Sequence, residues 1–311
     1  MVSVVMITYG HDQFISQAIQ GVLMQKCDFD IELIIANDCS PDNTDEVVKQ
    51  IFKSHPNSYL INYTKHSENK GMMANFIWAL QEAEGKYIAL CEGDDYWTDP
   101  FKLQKQVCFL EENSNYSAVF HNVEQRWQLK EQSNLYLRNK RFQTGGLIKL
   151  DDLLGENIVP TCSLVFRKSS FFESKNKIPW SQLDYGDWPT VIILATNGLF
   201  YYLPIISGVR RMNLNSVWGL KDHKTNILKT IRTRKLIKET RLIDVHGLKK
   251  MEQYEFQLFL ELHQIKEFLI FRMPKKGINI ILFYLNKCSV QLLKVYYKKK
   301  FRVRITKNEN I

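Results

Sequence analysis

Over its first ninety residues the chain switches repeatedly between two hydrophobic periods. Val2–Thr8 is a β-branched apolar run too short for a helix and reads as a buried strand. Across Asp12–Gln25, Phe14, Ile15, Ala18, Ile19, Val22 and Leu23 recur at helical spacing. Ile31–Ala36 is a second apolar run, and Ser40-Pro-Asp-Asn-Thr44 supplies turn chemistry ahead of a helix over Asp45–Ser54. Ser58–Thr64 predicts a third strand, Met72–Ala83 a helix and Lys86–Cys91 a fourth strand after Gly85. This alternation predicts an α/β fold, a mostly parallel central sheet flanked by helices. Ligands of such sheets gather at the carboxyl ends of the strands.

Those ends carry chemistry. Thr8-Tyr9 follows the first strand, Asn37-Asp38 the second, and Glu92-Gly93-Asp94-Asp95 the fourth. No G-x-G-x-x-G follows a strand and no GxxxxGK[ST] occurs, which argues against dinucleotide-dependent dehydrogenases and P-loop enzymes. Three carboxylates within four residues, with no Lys or Arg among them, repel one another unless a cation compensates. Mg²⁺ and Mn²⁺ prefer oxygen ligands and bridge carboxylates to phosphates, so the cluster is either a metal–diphosphate site or a solvated acidic turn. Gly93 is expected to give this turn backbone freedom.

Composition bounds the rest. The chain has 311 residues, 45% hydrophobic and 24% charged, enough for one large domain or a domain with an appendage. Its net charge of +9 is unevenly divided. Residues 1–219 hold 20 Lys and Arg against 25 Asp and Glu, and residues 220–311 hold 22 against 8. Two regions are therefore expected, 1–219 as an acidic body and 220–311 as a basic, mainly helical extension. Helical patterning runs over 225–245 and 252–297, where Lys287, Gln291, Lys294 and Lys298 form one polar stripe. That stripe is compatible with an anionic membrane surface or with a solvated helix packed on the body, and no nucleic-acid motif accompanies it. The opening apolar run lacks a basic flank and is shorter than a signal peptide or membrane span, and no later run approaches the roughly 20 apolar residues of a span. A cytoplasmic protein is expected, peripheral at the inner face of the membrane if the stripe binds it. Six cysteines without CxxC pairing argue against a zinc cage or a disulfide framework.

The segments SVVMITYGHDQFISQAIQGVLMQ, ELIIANDCSPDNTDEVV and HSENKGMMANFIWALQEAEGKYIALCEGDDYWTDPFKLQKQV resemble, in order, the family 2 glycosyltransferases. NIVPTCSLVFRK, YGDWPTVIILATNGLFYYLP and SVW resemble the subgroup that builds bacterial surface polysaccharides such as capsule and lipopolysaccharide. The resemblance covers residues 1–219. It implies the GT-A fold, a nucleotide-diphosphate-sugar donor with UDP favoured, a divalent metal (Mn or Mg), and a glycan or lipid-linked acceptor attacked with inversion. Carried over by position, Thr8 and Tyr9 would embrace the base, Asp38 would bond its edge, and Asn69-Lys70-Gly71 would border the nucleotide. Asp94 would approach the ribose and Asp95 the metal. Glu92 stands where the family usually has Asp. Asp187, in the GDW segment, matches the general-base position, and it could at the same time cap the helix expected over Thr190–Thr196, with Pro189 in the first turn. Asp184 is the weaker candidate. Trp188 is either a floor for a sugar or a core residue. Arg210-Arg211-Met212 falls where relatives carry Tyr-Arg-x-His, so Met212 replaces a His and either Arg could clamp phosphate. His121 borders the acceptor pocket or is structural. Two rivals remain: a sugar-phosphate nucleotidyltransferase, which would need a Gly/Arg/Lys-rich loop where Tyr9-Gly-His-Asp12 stands, and an inactive membrane-docked scaffold.

Overall fold

The computed structural model describes residues 1–127, 133–139, 142–212 and 223–262. The chain divides into two compact units, Met1–Lys221 and Asp222–Ile311.

In the first unit β1 (Val2–Thr8), α1 (Ile15–Leu23), β2 (Ile31–Asn37), α2 (Thr44–Ser54), β3 (Ile61–Lys65), α3 (Met72–Glu82) and β4 (Tyr87–Leu90) follow the expected alternation. β1 pairs in parallel with β2 and with β4, and β2 with β3. The ends of β2, β1 and β4 therefore lie side by side. Val4, Met6, Leu33 and Ile35 are fully buried against α1 and α2. Burying each such side chain stabilises by roughly 1.5–3 kcal/mol.

The third strand starts later than its apolar pattern predicts. Ser58–Leu60 is a 3₁₀ turn, and pairing with β2 begins only at Ile61 opposite Leu33. The Leu60 amide donates to the Asn57 carbonyl, and the Asn57 side chain donates to the Leu23 carbonyl at the end of α1, which closes the turn.

Beyond Leu90 the sheet depends on pairings distant in sequence. β5 (Tyr96–Trp97), α4 (Lys102–Glu112) and β6 (Tyr116–Trp127) are followed by β7 (Ser133–Leu135), β8 (Gly146–Ile148), α5 (Leu150–Leu153), β9 (Val165–Arg167), α6 (Lys168–Phe172), α7 (Asp187–Thr196) and β10 (Leu199–Met212). The strand order is β3-β2-β1-β4-β9-β6-β10-β5, with β7 on β6 and β8 on β10. β9 is antiparallel to both β4 and β6, while β6 and β10 run parallel. The β6–β10 register slips between Leu203 and Ile206. Pro204 lies inside that slip and has no N–H for the ladder.

Lys102 is fully buried at the start of α4, its Nζ 4.0 Å above the Trp97 ring and without a hydrogen-bond partner. Burial lowers its pKa to about 7, partly offset by Cys91, Cys162 and Asp99. The unfolded chain binds the proton up to about 10.4. It therefore holds more protons than the folded state between these values, and this group makes stability rise with pH across that window. Lys102→Met is expected to stabilise the protein at pH 7 by roughly 1–3 kcal/mol and to remove that slope. Denaturant melts at pH 7 and pH 9.5 check it.

In the second unit α8 (His223–Glu239) and α9 (Val245–Leu262) are separate helices. The break falls near Arg241, at φ 59°, inside the segment 225–245 where continuous helix is expected. Lys238 pairs with Glu255 at 2.7 Å, and Arg234 lies 4.4 Å over Tyr254. Most of the predicted helix 252–297, with its stripe of Lys287, Gln291, Lys294 and Lys298, lies outside the described residues, as do Cys288 and the SVW segment. The five described cysteines are free. No helix among the described residues is long and apolar enough to cross a membrane.

Candidate active site

A cavity of about 410 Å³ opens at the carboxyl ends of β1, β2 and β4. Its wall includes Thr8, Tyr9, His11, Asp38, Asn69, Glu92, Asp94, Asp95, Asp187, Arg210, Arg211 and Met212. Parallel strands deliver the first eight and α7 the ninth, and the last three come from the end of β10.

The nucleotide-side candidates are held by one another. Thr8 is buried, and its Oγ1 lies 3.1 Å from His11 Nδ1, whereas Tyr9 at 51% exposure stands on the rim. Asp38 is buried, and its Oδ1 accepts from the Lys70 amide at 2.7 Å. Asn69 donates through Nδ2 to the Asp38 carbonyl and accepts through Oδ1 from the Gly71 amide. Gly71, at φ 84°, adopts backbone that L side chains rarely take, and it opens α3. Lys70 and Gly71 thus brace Asp38 without lining the cavity.

The acidic turn presents three carboxylates whose oxygens lie within 4.8 Å of one another, Glu92 and Asp94 half-buried and Asp95 buried. Gly93 serves it differently from expectation. Its φ is not positive, but a Cβ there would lie 2.7 Å from Thr8 Oγ1 and 2.9 Å from His11 Nδ1. Close approach of the turn to β1, rather than backbone freedom, demands glycine. Burial raises the Asp95 carboxyl to about 7, with Asp94 adding repulsion and Arg210 and the Arg211 amide opposing it. Burial likewise pushes Glu92 well above the usual carboxylate range, reinforced by Asp95, Asp94 and Asp187. Hard oxygen donors this close, with Glu92 and Asp95 held above their ordinary pKa, suit a divalent cation that would take the place of their protons.

Asp187 is the first residue of α7, and Gly186 is the cap, so the capping reading of Asp187 is corrected. Its Oδ1 accepts from the Trp188 amide at 2.8 Å and its Oδ2 from Asn157 Nδ2 at 3.1 Å. Burial raises its pKa, against the pull of that amide, Arg210 and Asn157. Asp184 does not line the cavity. Nor does Trp188, which is 2% exposed and donates through Nε1 to the Leu153 carbonyl, so it packs in the core. His121 is also fully buried away from the wall, its Nδ1 donating to the Asn122 carbonyl at 2.7 Å.

The two arginines differ. Arg211 is committed to structure: its amide donates to Asp95 Oδ1, its guanidinium to the Asp94 carbonyl and to Gln17, and it lies 4.4 Å over Tyr96. Arg210 rests 5.4 Å over the Tyr136 ring, and Tyr136, Asp95, Glu92 and Asp187 outweigh its burial to raise its pKa. Met212 keeps its sulfur 3.8 Å from Gln125 Nε2. Sequence reasoning missed His11, which lines the cavity and lies against Thr8, and Asn157, which reaches Asp187 from thirty residues away.

A family model described as Glycosyl transferase family 2 matches residues 3–171. An uncharacterized protein of Mycobacterium tuberculosis is 33% identical over 218 residues, 70% of this chain and 60% of that protein, so the chain spans about 60% of its length. The Bacillus subtilis protein TuaG, ascribed a glycosyltransferase role in teichuronic acid biosynthesis, is 33% identical over 114 residues, 37% of this chain and 43% of TuaG. Among solved structures, Staphylococcus aureus TarS 1-349 in complex with UDP-GlcNAc superposes with a TM-score of 0.63 at 14% identity, covering 89% of this chain and 77% of that one. A mannosyltransferase from Pyrobaculum calidifontis in complex with GDP-Man and Mn²⁺ gives a TM-score of 0.56 at 15% identity, covering 91% and 84%. The fold is that of the GT-A transferases.

Proposed function

We propose, from the premise that this chain belongs to glycosyl transferase family 2, that it moves a sugar with inversion from a nucleotide-diphosphate donor, UDP-linked in the favoured case, to a glycan or lipid-linked acceptor of a bacterial surface polymer. The observation that carries the reading is the meeting of Asp187 with the Glu92–Asp95 cluster across one cavity. Thr8, Tyr9 and Asp38, braced by Asn69, Lys70 and Gly71, hold the nucleoside, with Asp94 toward the ribose. Glu92 and Asp95 would hold a divalent cation, which would supply positive charge to neutralise the diphosphate. Arg210 supplies a second positive group there, with its guanidinium backed by Tyr136. Asp187 removes the acceptor hydroxyl proton during in-line attack, its orientation fixed by Asn157 and the Trp188 amide. The wall-polymer relatives support the polymer class, and the basic end of the chain supports a peripheral place at the inner face of the membrane.

Slow transfer to water tests the stereochemistry without an acceptor. The protein is incubated with α-linked UDP-glucose and UDP-GlcNAc plus Mn²⁺, and the released sugar is followed by proton NMR before mutarotation. An inverting enzyme releases the β anomer first, and the α anomer first contradicts the proposal.

A further inference from the structure

We infer that the exposed end of β6 is an acceptor-binding subsite, in which the Trp127 ring carries a pyranose and the amides of Gln125 and Asn134 bind its hydroxyls. This rests on the reading of the cavity as a transferase site.

Side chains at paired positions of neighbouring strands leave the sheet on the same side, and alternate residues of a strand share that side. Arg210 pairs with Gln125 and Met212 with Trp127, so these four project from one face. Arg210 and Met212 line the cavity together with Arg211 of the opposite face, and Trp127 stands beside Met212 at the outer end of the Arg210–Met212 face. Asn134 of β7 stands across from Gln125 on the same face. The opposite face of the strand end is occupied: Arg126 donates to the Tyr96 hydroxyl at 2.8 Å and to Glu124.

Exposure separates this residue from the other tryptophans of the sheet and its helices. Trp97 and Trp188 are 2% exposed and donate their indole N–H to carbonyls, while Trp127 keeps 42% of its surface open. A large flat apolar ring held open beside a polar cavity suits the C–H face of a pyranose. Gln125 already spends Nε2 on the Met212 sulfur, which leaves Oε1 to accept from a hydroxyl, and Asn134 is exposed with both amide functions. An open aromatic face beside two amides offers the stacking and the neutral hydrogen bonds that a pyranose uses.

The test uses methyl pyranosides of glucose, galactose, mannose and N-acetylglucosamine as probes, read by saturation-transfer NMR on the full chain, wild type, Trp127→Ala and Trp127→Phe. UDP, GDP, CDP and dTDP binding with Mn²⁺ is followed in the same samples. At least one pyranoside is expected to receive saturation from wild type, to lose at least five-sixths of that signal in Trp127→Ala and to keep most of it in Trp127→Phe, with nucleotide binding equal in all three. Nucleotide binding without any pyranoside signal, or a signal unchanged in Trp127→Ala, overturns the subsite alone. Absence of nucleotide binding from all three proteins overturns the donor-site reading and the subsite with it.

Discussion

Asp187→Asn is expected to abolish measurable sugar transfer while leaving nucleotide affinity unchanged. Asparagine retains an oxygen for the Trp188 amide but cannot take a proton from the acceptor. Loss of a positioned general base costs about 10²–10⁴-fold in rate. Because the residue begins α7 rather than capping it, the helix is expected to survive the exchange. The pH profile carries a second signature. Burial raises the Asp187 pKa, and only the carboxylate can act as base. Transfer is therefore lost as pH falls through a value above the ordinary aspartate figure of about 3.9, and wild-type kcat/KM should show its acid limb there. A rate for Asp187→Asn equal to wild type would remove this residue from the chemistry.

Asp95→Asn is expected to stabilise the metal-free protein and to make it indifferent to manganese. In the metal-free state the Asp95 carboxyl holds its proton up to about 7, against 3.8 in the unfolded chain. Between these values the folded state binds more protons than the unfolded one, so this group makes stability fall as pH rises through that window. Above it the buried charge is at its costliest. Asparagine keeps an oxygen for the Arg211 amide and removes the charge. A rise in melting temperature at pH 8 equivalent to roughly 1–3 kcal/mol follows, since each pKa unit corresponds to about 1.4 kcal/mol and Asp94 and Glu92 share the repulsion. Manganese should raise the melting point of wild type, because a ligand bound only by the folded state stabilises it by mass action, and leave Asp95→Asn unmoved. Scanning calorimetry at pH 5 and pH 8, with manganese or a chelator, measures both effects.

The first half of the sheet was legible because its signals are local. β1, β2 and β4 are apolar runs of four to seven residues bounded by turn chemistry, and their parallel pairing sets Thr8, Asp38 and the acidic turn side by side. The second half was not legible in the same way. β9 is three residues long and gains its place only by pairing with β4 and β6, some 80 and 50 residues earlier. β10 is interrupted by Pro204 and slips its register against β6, so the pairing that brings Arg210, Arg211 and Met212 to the cavity is not written in a regular strand pattern. Asp187 could be singled out only by family resemblance, since the bond that orients it comes from Asn157, thirty residues away. Trp188 and His121 take the structural one of the two roles the sequence left open for each, and both satisfy a backbone carbonyl in the interior. Gly93 was identified for the wrong cause, because a sequence does not reveal that Thr8 and His11 lie under the turn.

The most direct test of the central claim is calorimetric titration of UDP, GDP, CDP and dTDP, with and without Mn²⁺, into wild type and Asp95→Ala. One nucleotide is expected to bind wild type only with manganese and not to bind Asp95→Ala at all. Binding of none of the four to wild type would contradict a donor site in this cavity and bring an inactive transferase-like scaffold forward in its place.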